Sequence, residues 1–126
     1  MFKDTPAFSG FAVDDMNAAV TFYADTLGLD VSVVDEQGGL FSLNIAGGTK
    51  IFGYAKPDHT PATFTILNFP VDDVEGAVDA LAARGISFER YDGFDQDDKG
   101  IHRGGGPLIA WFKDPAGNVL SVLESQ

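Results

Sequence analysis

The chain has 126 residues, 44% hydrophobic and 21% charged, with 15 Gly, 6 Pro and no Cys; that describes one globular domain able to bury roughly two thirds of its unfolded surface. Without Cys there is no disulfide framework, thiolate zinc, iron–sulfur cluster or cysteine nucleophile. Eight Lys and Arg against 19 Asp and Glu give a net charge of −11, which repels phosphate backbones and excludes nucleic acid as a partner. No apolar run reaches the roughly 18 residues of a membrane helix, and the N-terminus lacks the regions of a signal peptide, so a cytoplasmic protein with no membrane partner is expected.

The first element to stand out is repeated. Residues 11–24 and 69–82, at an offset of 58, agree at 7 of 14 positions: Phe11/Phe69, Val13/Val71, Asp14/Asp72, Asp15/Asp73, Ala19/Ala77, Val20/Val78 and Ala24/Ala82. Chance would give about one. Each copy reads as a strand running into a helix: alternating apolar residues, an Asp pair able to cap the first turn, then apolar residues at helical spacing (Met16, Ala19, Val20, Tyr23, Leu27; Val74, Val78, Leu81, Ala82). Gly28 and Gly85 stop the helices, and Asp72 with Glu75 has the spacing of a capping box.

Behind the first helix the apolar period changes to two over 29–34, 40–45 and 50–55, with turn residues at Gly38, Gly39, Gly47 and Gly48. Behind the second it does so over 86–91, 108–113 and 118–124. The last two are joined by Asp114, Pro115, Ala116 and Gly117, the chemistry of a tight hairpin turn. The expected fold is therefore α+β: two tandem βαβββ modules, about 5–56 and 61–124, within a single domain spanning 1–126. Their strands would form a curled, open barrel-like mixed sheet around a cleft, with the helices outside. The link around Pro57 and Pro61 is too short to separate independent domains.

The duplicated module, Phe22-Tyr23 followed by Leu27-Gly28, and the closing segment from Phe112 through Asp114, Pro115 and Gly117 to Glu124 resemble the vicinal oxygen chelate superfamily, which includes glyoxalases, bleomycin resistance proteins and extradiol dioxygenases. The stretch from Tyr54 to Ala62 is similar to a bacterial subgroup lacking the usual metal ligands. In metal-dependent members the resemblance implies four His, Glu or Gln ligands on inward strand positions, which polarise two neighbouring substrate oxygens. Those positions map here onto Phe8, Phe52, Ile66 and Ser121, none of which is a normal ligand for a divalent ion. No metal and no cofactor are therefore expected.

Other chemistry is sparse. The only histidines, His59 and His102, lie in the inter-module link and the long loop of the second module; with Asp58 and Arg103 they are the candidate acid–base and anion-binding groups. Asp92, Asp95, Asp97 and Asp98 do not fit a calcium loop, because Lys99 and Gly106 stand where ligands belong. The run from Arg103 to Pro107 lacks the Lys-Ser/Thr of a P-loop, and no Gly-x-Ser-x-Gly elbow is present.

Aromatics supply the remaining signal. Strand parity turns Phe11, Val13, Phe69 and Val71 towards the helices and Phe8, Phe52, Tyr54, Ile66, Asn68 and Ser121 towards the cleft, where Trp111 could stack on a ligand. Such a lining suits a small organic molecule, cationic or aromatic, bound without the usual metal centre. Two functional classes remain: a small-molecule-binding protein similar to the drug-sequestering members, and a lyase, isomerase or dioxygenase-type enzyme using His59, His102, Tyr54 or Arg103, or a metal site not apparent in the sequence. Edge strands that need covering, together with the habit of the superfamily, make a homodimer the expected assembly.

Overall fold

The computed structural model describes residues 1–126. The chain is α+β and divides into two compact units, Met1–Thr60 and Pro61–Gln126. No helix is long and apolar enough to cross a membrane.

In the first unit, β1 (Ser9–Val13) leads into α1 (Met16–Thr21), followed by β2 (Asp30–Asp35), β3 (Leu40–Asn44) and β4 (Lys50–Ala55). The sheet order is β1-β4-β3-β2, with β1 parallel to β4 and the other pairs antiparallel. Register places Phe11, Val13, Phe41 and Gly53 on one face and Gly10, Ala12, Ser42, Phe52 and Tyr54 on the other. The first set, with Met16, Ala19, Phe22, Tyr23 and Leu43, makes the core. Asp15 caps α1 by accepting from the Ala18 N–H at 3.2 Å. At Phe22 the helix widens into a π turn over Phe22–Thr26, where the Leu27 N–H bonds back to the Phe22 carbonyl at 3.0 Å. The widening keeps Phe22 and Tyr23 both buried, in edge-on contact at 5.2 Å, and Gly28 (φ 72°) lets the chain turn out.

The second unit repeats the plan with β5 (Thr65–Val71), α2 (Val74–Ala83), β6 (Ile109–Lys113) and β7 (Val119–Glu124), in sheet order β5-β7-β6. Strand β5 is parallel to β7, with an irregularity between Thr65 and Leu67, and β6 is antiparallel to β7. Val74 and Val78 of α2 pack on Ala110, Val122 and Ile101. The cap of α2 is Asp73, accepting from the Gly76 N–H at 3.0 Å. The expected capping box does not form: Asp72 accepts from the Ser125 hydroxyl at 2.8 Å, and Glu75 reaches Arg103. Asp72 lies one residue too early: the strand continues to Val71, and Asp73, with extended backbone, is the residue that caps the helix.

The strand expected over 86–91 is also absent, which leaves the second unit one strand short of the first. Phe88 makes a single bridge to Phe112, and the Glu89 N–H reaches the Trp111 carbonyl at 2.8 Å. Beyond that point the Gln96 side chain takes over the backbone groups a ladder would use. Its Oε1 accepts from the Tyr91 N–H at 2.8 Å, and its Nε2 donates to the carbonyls of Glu89 (2.9 Å) and Gly100 (2.8 Å). The backbone is satisfied without a ladder. The hairpin turn at 114–117 is built as expected: the buried Asp114 carboxylate accepts from the N–H groups of Ala116 and Asn118, both at 2.9 Å, and Gly117 has φ 85°.

Candidate functional site

The loop that replaces the missing strand gathers aromatic rings over the face of β6 turned away from α2. Trp111 lies 5.4 Å from Tyr91 and 5.3 Å from Phe94, ring centre to ring centre, and Tyr91 and Phe94 are 5.9 Å apart. His102 stacks against Phe94 at 5.2 Å and stands 6.2 Å from Trp111. Beside these rings opens a cavity of about 340 Å³, lined by Thr63, Phe64, Thr65, Tyr91, Phe94, Trp111 and Val119. Three of the rings remain exposed: Phe64 at 68%, Phe94 at 48% and Tyr91 at 36%. Exposure of that extent in adjoining large apolar side chains makes this surface the candidate binding site.

Polar bonds fix the walls. Arg90 donates to the carbonyls of Asp97 (2.6 Å) and Asp98 (2.7 Å), and the Asp97 carboxylate accepts from the N–H groups of Lys99 and Ile101, both at 2.9 Å, and from Arg103 Nε at 2.8 Å. Burial pushes the Asp97 carboxyl upward, but the Arg103 hydrogen bond, the two N–H groups and the Arg103 charge outweigh it and hold the group below its usual range. Burial and the nearby Glu89 raise the Tyr91 phenol, which keeps it a neutral donor. Lys113 opposes that shift and pairs with Glu89 at 3.2 Å.

The residues singled out in the sequence fall into separate places. Phe8 and Phe52, in the first unit, meet edge-on at 5.1 Å, and exposed Tyr54 shares the Phe52 face of its sheet. His59 is half-buried in the link, where its N–H bonds to the Lys56 carbonyl; the Asp58 carboxylate pairs with Lys56 Nζ at 2.6 Å. In the second unit Ile66 lies at the β5 irregularity, and Asn68, Ser121 and Trp111 stand side by side across three strands. His102 borders the aromatic cluster with Nδ1 3.1 Å from the Asp95 carbonyl. The Arg103 guanidinium is engaged by Asp97 and, at 3.0 Å, by Glu75.

Composition missed Phe64, Tyr91 and Phe94, along with Thr63, Thr65 and Val119. The signal was present: two aromatics bracket Gly93 in an acidic loop, where nothing but exposure or a ligand would hold them.

A divalent ion finds little to hold it. Phe8 and Phe52 offer only aromatic carbon, packed edge to face, Ile66 has no donor atom, and the fully buried Ser121 hydroxyl is committed to Asn68. No three His, Asp or Glu side chains converge in an arrangement that could bind a metal. These residues do not fit the ion.

Residues 7–122 match the family model of the Glyoxalase/Bleomycin resistance protein/Dioxygenase superfamily. No curated protein matches the sequence. Among solved structures, TnmS3, an antibiotic binding protein from Streptomyces sp. CB03234, is 23% identical with a TM-score of 0.68, over 98% of each chain. A lactoylglutathione lyase from Agrobacterium tumefaciens is 25% identical with a TM-score of 0.66, over 97% of this chain and 96% of its own. The bleomycin resistance determinant encoded on the transposon Tn5 is 21% identical with a TM-score of 0.65, over 95% and 97%. The duplicated module, its two mixed sheets and the match over nearly the whole chain agree: the protein belongs to the glyoxalase/bleomycin resistance protein/dioxygenase superfamily.

Proposed function

We propose that the protein binds a small planar organic molecule in the cavity of its second unit, without the divalent metal used by other members of the superfamily. The observation that carries this reading is the convergence of Phe64, Tyr91, Phe94 and Trp111 on one cavity of about 340 Å³, a volume suited to a two- or three-ring ligand. Aromatic walls favour a flat apolar body, the Thr63 and Thr65 hydroxyls offer polar contacts at the rim, and a net charge of −11 favours neutral or cationic ligands over anionic ones. Similarity to TnmS3, an antibiotic binding protein, supports binding without turnover. The proposal keeps the homodimer, supported by the open edge strand β2 with exposed Val33 and Val34.

The test uses prodan, a neutral naphthalene fluorophore whose emission shifts to the blue in apolar surroundings. The wild type should bind it saturably at one site per chain. Phe94→Ala, which removes a ring contact of about 1 kcal/mol along with buried area, should weaken binding by about tenfold, and Trp111→Phe, which trims the indole to one ring, should weaken it by a smaller factor. Equal binding by all three proteins would show that the dye sits elsewhere and would overturn the proposal.

One observation favours a second reading. His102 is the imidazole beside the cavity walls, and with Nδ1 donating to the Asp95 carbonyl its Nε2 is left as a base. An enzyme built on it would turn over a bound substrate and lose rate, with affinity kept, in His102→Ala.

A further inference from the structure

The proposed binding site has a neighbour that the cavity itself does not include. Asn68 on β5, Ser121 on β7 and Trp111 on β6 are cross-strand partners, so the three side chains share one face of the sheet with Ser121 in the middle. Val119, which lines the cavity, stands two residues before Ser121 on that face. Ser121 is fully buried, whereas Asn68 is exposed. Their side chains meet at 2.5 Å, Ser121 Oγ donating to Asn68 Oδ1.

With the Ser121 hydroxyl as the donor, the atom facing it is the Asn68 oxygen. A buried hydroxyl, which must spend its proton, thereby fixes the amide with its NH2 group turned away from Ser121. The Nδ2 atom makes no hydrogen bond within the chain, and Asn68 is exposed on the sheet face that also carries Trp111 and Val119 of the cavity lining. A donor held in one orientation, with no partner of its own, beside an apolar surface is the arrangement that reads an acceptor on a ligand.

From this we infer that Asn68 is a specificity-determining residue: the ligand is a planar aromatic molecule bearing a carbonyl or equivalent neutral acceptor oxygen, which takes a hydrogen bond from Asn68 Nδ2, while Ser121 is the positioning residue that sets the amide. The inference rests on the reading of the aromatic cavity as a binding site and adds the chemistry of the polar end. It also separates two classes that the aromatic walls alone do not, because a flat hydrocarbon or a ligand presenting only N–H donors would leave the amide unsatisfied or opposed.

The experiment compares 2-acetylnaphthalene with 2-isopropenylnaphthalene, which replaces the carbonyl oxygen by CH2 and keeps the shape. Affinities are measured by NMR titration on the full chain. The ketone should bind the wild type roughly fivefold more tightly, the worth of one net hydrogen bond. In Asn68→Asp, where the outward atom becomes an acceptor, the ratio of the two affinities should fall to about one or below. In Ser121→Ala, which frees the amide to flip, it should fall part of the way. Because Asn68 is exposed, Asn68→Asp removes no core contact, and circular dichroism of both variants verifies the fold. A ratio near one in the wild type overturns the inference and leaves the aromatic reading standing. A ratio that survives in both variants overturns it too, since the ketone is then read elsewhere. Failure of both compounds to bind the wild type overturns the inference together with the reading beneath it.

Discussion

Asp97 shows how much a single side chain organises here. Its carboxylate gathers two backbone N–H groups and the Arg103 guanidinium, and that cluster ties together the loop that carries Phe94. Arg103, suggested by the sequence as an anion-binding neighbour of His102, is occupied by this role and by Glu75. The sign of the resulting pH dependence follows from the direction of the shift. A carboxyl held below its usual range in the folded protein contributes stability that is fully present above the unfolded value, about 3.9, and is lost as pH falls through the lower folded value. Asp97→Asn should therefore be less stable than the wild type by about 1–2 kcal/mol near neutral pH, with the gap narrowing below about pH 4. Urea unfolding of both proteins from pH 2.5 to 7 measures it. A gap that does not change with pH would mean that the carboxylate charge has no part in holding the loop.

At the scale of elements, periodicity and turn chemistry carried far. The strands of the first unit, the Asp-capped helices, the glycine stops and the turn after Lys113 all follow from local rules that the surroundings reinforce. Two features did not. The widening of the first helix at Phe22 comes from the demand to bury Phe22 and Tyr23 together, a packing constraint with no local signature. The 86–91 segment has the alternation of a strand, yet Gln96 competes for its backbone groups from five residues beyond Tyr91, and a side-chain amide at that distance leaves no periodic trace. The loop that results builds the cavity, which is why the candidate site was only partly legible: Trp111 was read on its strand, while Tyr91 and Phe94 depend on the loop.

Elements also explain Gly53. It faces the helix side of the first sheet in the middle of β4, where the Phe41 ring lies directly over its Cα. A Cβ there would overlap the ring, and Phe41 is fully buried among Phe11 and Tyr23 with nowhere to retreat. Gly53→Ala should therefore cost about 1–3 kcal/mol through overpacking, although alanine suits a strand better than glycine. Chemical denaturation reads it as a lower midpoint with an unchanged slope. A variant as stable as the wild type would show that the aromatic core has room to shift.

At the scale of the whole molecule, the chain carries the plan of its family in two related units. Phenylalanine, isoleucine and serine stand where the resemblance implies metal ligands, and the convergence of aromatic rings lies in a loop that only the second unit possesses. Binding without a metal is the central claim. The measurement that tests it most directly is prodan titration of protein stripped with a chelator, repeated after addition of Zn²⁺, Ni²⁺ or Mn²⁺, with the emission of Trp111, the only tryptophan, followed alongside that of the dye. Metal-free binding predicts saturable one-site binding in the stripped protein, quenching of Trp111 in step with it, and no change in affinity when metal is restored. Binding that appears only with added metal, or that leaves Trp111 unaffected, would contradict it.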